Sequence, residues 1–345
     1  MHADLANVGW TEEQWNRINA AVAEEAQKAR IAARVLPTCG PEHPSTLAVP
    51  NFTLGKGPNR ETPLPGDALA RDGVEPRDRL EVDSYPTLYL TRIAVNIFLH
   101  SHEVADPEIK AALVMFRRAA NYIARIEDVI VFHGRPGTDQ LPAGPTLLGA
   151  IPHVFTVKGR GPVAGIFYPL PDSPQDDVPG RIRIPAPKSG PEQGQHLVST
   201  IVKAIDALEQ RAQLGPYACI LSHKLFEAAC TPTESLVLPR DRILPFLQGP
   251  LLRTSTIMDG CGVVLATSGS PVELVVASDI EVRYLQTTLE PRFAFRVSER
   301  VALRIKEDSS IAILASPELM AQTAEKPRVP KSTDPPRSGP RSERT

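Results

Sequence analysis

"FRRAANYIARIEDVIVFHG", Phe116 to Gly134, is the stretch on which the fold turns. Ile109, Ala112, Leu113, Phe116, Ala119, Ala120, Ile123 and Ile126 form an apolar stripe at helical spacing that runs on to Ile130. Asp106 followed by Pro107 is a helix start, with proline at the first helical position. The pattern predicts a helix from Pro107 to about His133. At 1.5 Å per residue it is roughly 40 Å long, a spine across the whole subunit. Within it sit Glu127 and Asp128, beside apolar Ile126, Val129 and Ile130. That is near the C-terminal end, where the helix dipole disfavours negative charge. The two acids are expected to meet a basic partner across a packed surface, solvent exposure being the alternative. On the first reading Glu127→Ala is destabilising, because a buried charge is left without its partner.

Upstream, Thr11 and Gln14 make a capping box, followed by Trp15, Ile18, Val22, Ala26 and Ala29 at helical spacing. This helix is expected to stop near Leu36, before Pro37. Residues 37–86 are rich in proline, glycine and charge and read as an extended arm that finds partners outside its own subunit, disorder being the alternative. Leu88, Leu90, Ile93, Val95 and Ile97 are strand-like. Downstream, residues 135–195 are again loop-rich, and "HLVSTIVKAIDALEQRAQLG" is a third helix with Gly215 as its cap. "PYACILS" reads as a buried strand, Leu225 to Cys230 as a helical turn, and "DRILPFLQGPLL" as a short apolar segment broken by prolines. The remainder to Ala315 is β, and the proline-rich basic tail from Lys326 reads as disordered.

The 345 residues suffice for one large domain or two ordinary ones. A formal net charge of -2 argues against nucleic-acid and membrane-surface roles. The four cysteines, Cys39, Cys219, Cys230 and Cys261, are far apart and form no C-x-x-C pair, which argues against a zinc ribbon or a disulfide framework and fits a reduced cytoplasm. No secretory signal and no bilayer-spanning apolar run is visible.

Catalytic patterns fail one by one. "GRGPVA" at Gly159 matches a dinucleotide fingerprint, but "GIFYPLPDSPQ" after it cannot supply the required helix. His100 and His102 face one way on a strand, without a third ligand cluster. Ser222 and His223 are adjacent, so their side chains diverge. Cys219 sits in an apolar strand, as a small hydrophobe does. The arginines at positions 283, 292, 296, 300 and 304 could form a basic strip, but interleaved Glu281, Glu290, Glu299 and Glu307 favour salt bridging. No enzyme activity, cofactor or metal is expected.

The spine stretch, with Ala124, Glu127, Asp128, Phe132 and Gly134, resembles the signature of the encapsulins, the shell proteins of prokaryotic nanocompartments. "GWTEEQWNRINAAV", "LGPYACILSHKLFEA", "GCGVVLATSGSPVELVVASDIEVRYL" and "FAFRVSERVALRI" are similar to that family's segments in the same order, over roughly residues 8–315. The resemblance implies an α+β chain with the Hong Kong 97-type fold of phage major capsid proteins. It divides the sequence into an N-terminal helix and arm (1–49), an extended loop (50–92) and a peripheral-domain spine helix (93–134). An axial domain (135–258) with a proline-rich insert (169–193) follows, then closing β segments of the peripheral domain and loop (259–315) and the disordered tail (316–345). Also implied are icosahedral self-assembly in the cytoplasm and a cargo enzyme, peroxidase or ferritin-like, that docks by a terminal peptide. Trp15, Ile18 and Val22 are then candidates for the cargo-facing inner wall, core packing being the other reading. Thr233 and Glu234 are candidates for a pore rim, an ordinary surface loop being the other. A viral or prophage capsid protein and, further off, a soluble hydrolase using Cys219 or His223 are the competing functions.

Overall fold

The structure, a computed structural model, describes residues 8–56, 80–83, 87–135, 151–152, 154–168, 181–190, 192–232, 237–288, 290 and 292–315. Most of the extended loop, residues 169–180 of the insert, Thr233 and Glu234, and the tail from 316 lie outside the described residues.

Helix α1 (Glu12–Ala29) starts on the expected box: the Thr11 hydroxyl accepts from Gln14 N–H at 3.2 Å, and Gln14 Oε1 accepts from Thr11 N–H at 2.9 Å. It ends seven residues before the expected stop at Leu36 and is followed by a 3-10 turn at Ala32–Arg34. The short strands β1 (Thr38–Cys39), β2 (Ala48–Pro50), β3 (Thr53–Lys56), β4 (Leu80–Asp83) and β5 (Thr87–Tyr89) lead to the long strand β6 (Thr91–His100). A single turn, α2 (Ser101–Val104), precedes the spine helix α3 (Lys110–His133), ~36 Å long. The spine starts three residues later than the sequence suggests, because Ile109 adopts a left-handed φ of 47°. The Asp106 carboxylate caps this entry, accepting from Glu108 and Lys110 N–H at 3.0 Å each.

Strands β7 (Phe155–Lys158) and β8 (Ile182–Pro185), helix α4 (Gln193–Glu209), strand β9 (Tyr217–Ser222) and helices α5 (His223–Cys230) and α6 (Pro239–Leu247) come next. The chain closes with β10 (Leu251–Thr254), β11 (Gly262–Ala266), β12 (Val272–Thr287), β13 (Arg292–Ile305) and β14 (Ile311–Ala315). The "DRILPFL" segment, expected to be broken by its proline, is helical, with Pro245 inside the last turn.

Two five-stranded sheets organise these elements, in the orders β1-β12-β13-β6-β7 and β10-β9-β11-β14-β8. The division differs from the linear partition of the sequence. Strand β7 pairs with β6 in the first sheet, although it was placed with the axial segment. Strands β11 and β14 pair with β9 and β8 in the second sheet, although they were placed with the closing segments of the first. Hydrophobicity marks these stretches as strands but carries no information on which distant strand each will join.

The second sheet is a wall between two cores, which explains why β9, β11 and β14 are buried at every position. Ile220, Val263, Leu265, Ile311 and Ile313 point toward the spine helix and its sheet. Tyr217, Cys219, Leu221, Val264 and Leu314 point toward α4, α5 and α6. With a side-chain period of two, an all-apolar strand supplies both sides at once.

The spine must stop abruptly to feed the chain back along this wall. Gly134 does so at φ 73°, and a Cβ there would collide with Val163 O and Gly165 N. Gly134→Ala is expected to lower the urea midpoint of unfolding by an amount worth about 1–3 kcal/mol. An unchanged midpoint would show that the turn relaxes freely.

Candidate functional site

Arg30 is the residue following α1, and its own N–H still donates to Ala26 O at 2.9 Å. From there its guanidinium reaches three carboxylates on three other elements or bends. Nε donates to Glu127 Oε2 of the spine at 2.6 Å, and Nη2 to Glu299 Oε1 of β13 at 2.7 Å and to Asp279 Oδ1 of β12 at 2.7 Å. Glu127 and Glu299 are fully buried, whereas Asp279 is exposed.

Asp128 takes a different role. Its Oδ1 accepts from Ala32 N–H at 2.9 Å, and its Oδ2 from Ile31 N–H at 3.0 Å. Those two amides would have continued α1. The early end of that helix therefore follows from a carboxylate roughly a hundred residues away capturing its donors. A cavity of about 330 Å³ borders Asp128 and Ile31 and brings Arg125, His223 and Arg253 to its rim.

Three buried acids and one partly exposed arginine leave a surplus of negative charge, and burial pushes each acid toward its neutral form. Asp128 is pushed up to about 8, first by burial and next by the Glu127 charge. Glu127 is raised by burial, against the pull of Arg30. Glu299 lies well above the ordinary carboxylate range, through burial and then Glu127. Burial also opposes the Arg30 charge, but Glu299, Glu127 and Asp279 outweigh it and hold Arg30 above its ordinary value. Glu127 Oε1 and Glu299 Oε2 have no donor when both groups are ionised.

The inner-wall assignment of Trp15, Ile18 and Val22 needs correcting, because this chain buries all three in its own core. Trp15 packs edge-on to Trp10, with ring centroids 5.3 Å apart; Trp10 stacks on Phe295 at 5.0 Å, and Phe116 meets Phe295 edge-on at 5.4 Å. Such pairs contribute about 0.5–1.5 kcal/mol each beyond the area they bury. The solvent-facing side of α1 is polar instead, with Asn16, Arg17, Glu24 and Gln27. Thr233 and Glu234 lie outside the described residues.

The residues tested for catalysis are drawn apart. Cys219 is fully buried, and burial pushes its thiol up, away from the reactive thiolate. Ser222 Oγ accepts from Gly260 N–H at 3.1 Å and is buried. His100 ends strand β6 while His102 lies in the turn after it, so they do not share a strand face; their rings stack at 5.6 Å. No cluster of three metal-ligating side chains occurs among the described residues. No helix of the described residues is long and apolar enough to cross a membrane.

Sequence reading singled out Glu127 and Asp128 but missed Arg30 and Glu299. Glu299 reads in the sequence as a salt-bridging partner for nearby arginines. The spacing of Arg30 from Glu127 and Glu299, 97 and 269 residues, left no local signal.

A family model described as encapsulating protein for peroxidase matches residues 177–302. The type 1 encapsulin shell protein EncA of Myxococcus xanthus is 25% identical over 313 residues, covering 88% of this chain and 92% of that protein. The virus-like particle of Pyrococcus furiosus is similar in structure at a TM-score of 0.58 and 14% identity, covering 88% of this chain and 100% of that one. The capsid of Myoviridae phage XM1 matches at 0.51 and 12%, covering 82% and 90%.

Two measurements test the charge cluster. Arg30→Ala leaves Glu127 and Glu299 buried without a cation, and a loss of about 3–5 kcal/mol of stability is expected by urea titration. Glu127→Ala is expected to cost less, because Arg30 keeps Glu299 and Asp279. The pH dependence follows from Asp128. Its folded-state value lies above the unfolded one, so the folded chain retains a proton between about pH 4 and about 8 that the unfolded chain has released. This contribution is complete below that window and is lost as pH rises through about 8. Asp128→Asn is expected to flatten the decline by up to about 1.4 kcal/mol per pH unit. Parallel wild-type and variant profiles would show that Asp128 ionises normally.

Proposed function

We propose that this chain, which has the Hong Kong 97-type capsid fold and is similar to the encapsulin shell proteins, is a structural subunit of that family. Copies of it close into an icosahedral, cytoplasmic nanocompartment. The shell encloses a cargo enzyme that carries a terminal targeting peptide, of the peroxidase or ferritin-like iron-storage type. The chain does no chemistry itself. The observation that carries this reading is the extent of the structural match: the whole of the Pyrococcus furiosus virus-like particle subunit is covered, and 88% of this chain is used to cover it. The family description, which names a peroxidase, favours the first cargo class.

A shell subunit must keep apolar surface for its neighbours. Val237, Leu244 and Phe246 at and before α6 are exposed, as are Phe98 and Leu285 on the first sheet. Closed point symmetry gives each such patch a partner on every copy. With Trp15, Ile18 and Val22 committed to the core, exposed Val114 and Met115 on the spine remain for an apolar cargo peptide.

A viral or prophage capsid protein is the second reading, and the likeness to the XM1 capsid fits it. The relative at 92% coverage is an encapsulin shell protein, which favours the first.

Negative-stain electron microscopy of the purified full-length chain is expected to show uniform hollow particles. A chain that stays monomeric or dimeric in dilute buffer overturns the reading. Phe246→Asp is expected to leave the circular dichroism spectrum intact while shifting the chain from particles to free subunits on size exclusion.

A further inference from the structure

The first sheet places like charges directly opposite one another on one face. Arg92 of β6 is the register partner of Arg300 of β13, and Arg296 of β13 is the partner of Arg283 of β12. Directly opposed like charges destabilise a sheet pair. The usual remedy is a carboxylate for each guanidinium, and elsewhere on these strands that remedy is present. Arg304 pairs with Glu273 at 2.6 Å, and Arg292 with Glu290 at 3.1 Å.

Among the described residues, the one carboxylate within salt-bridge distance of the cluster is Glu281, at 2.6 Å from Arg283. Arg296 donates to the neutral Asn96 Oδ1 at 2.9 Å. Arg300 donates to main-chain oxygens, Pro44 O at 2.7 Å and Thr46 O at 3.0 Å. Arg92 makes no hydrogen bond or ion pair among the described residues. Burial, followed by the fields of Arg296, Arg300 and Arg283, pushes its guanidinium below the ordinary value.

These charges border a cavity of about 470 Å³, whose wall includes Arg92, Arg283 and Arg300 together with His43, Ser278 and Ser298. That volume falls in the range of small-molecule sites. Its two acids are both engaged: Glu281 with Arg283, and Glu299 with Arg30. Planar guanidinium groups with free N–H donors match the geometry of phosphate oxygens, and serine hydroxyls add neutral donors.

We propose that this cavity is a binding site for a phosphate-bearing small anion, held chiefly by Arg92 and Arg300 across the β6–β13 pair. The bound anion would supply the negative charge that these strands lack. Glu299 borders both this cavity and the Arg30 cluster.

Isothermal titration calorimetry of the full-length chain, prepared without phosphate, tests the proposal, with inorganic phosphate and pyrophosphate as separate probes and chloride holding ionic strength constant. Saturable binding of one anion per chain is expected. Arg92→Gln should weaken it at least about tenfold, a change of about 1.4 kcal/mol. Because Arg92 lacks a partner and faces Arg300, the same variant in chloride should melt no lower than the wild type. Tighter pyrophosphate binding would show that the cavity takes two phosphoryl groups; tighter inorganic phosphate would show that it takes one. No saturable heat with either probe, or undiminished affinity in Arg92→Gln, overturns the proposal.

Discussion

A single guanidinium ties the N-terminal helix to the spine and to the long β hairpin. Arg30 donates to Glu127, Glu299 and Asp279, so three segments far apart in the chain converge on one cation. Buried ion pairs rarely add net stability over an apolar replacement, since desolvation consumes most of the Coulomb gain. They do impose geometry. An apolar contact tolerates sliding, whereas a guanidinium satisfied by three carboxylates holds α1, α3 and β13 at one relative position. The adjoining Asp128 adds to this by taking the Ile31 and Ala32 amides, which turns the chain out of α1 and toward the first sheet.

The rest of the architecture extends from that fixed corner. The spine runs from it to Gly134, and His133 Nε2 hydrogen-bonds Thr256 O at 2.7 Å beside the second sheet. That sheet divides two apolar cores, so movement of one core is felt by the other. A rigid subunit suits a closed shell, in which each copy must present several surfaces at fixed mutual angles. The polar cluster and the double-sided wall serve that requirement by different means, one through directed hydrogen bonds and the other through packing.

The outer side of the first sheet stands in contrast. Its inner side is closed over apolar packing, while Arg92, Arg296 and Arg300 are left without carboxylates among the described residues. The interior clusters negative charge around one cation, and this face clusters positive charge around a cavity. Charge separated within one domain in this way gives the two sides of a sheet different chemistry.

Much of this was legible in the sequence. Helices at 3.6-residue spacing, the Thr11–Gln14 box and the buried strand at Tyr217–Ser222 are local features, set by side-chain periodicity and capping. The two acids in the spine stood out beside Ile126 and Val129 at a helix end, but the sequence left burial against a basic partner and solvent exposure both open. Tertiary structure alone decided their partners. Arg30, Glu299 and the capture of two amides by Asp128 depend on contacts across roughly a hundred residues or more, and no periodicity encodes which distant group will arrive. The same limit applies to Trp15, Ile18 and Val22: an apolar helix face must be covered, but only the folded chain shows that Trp10, Phe116 and Phe295 help to cover it.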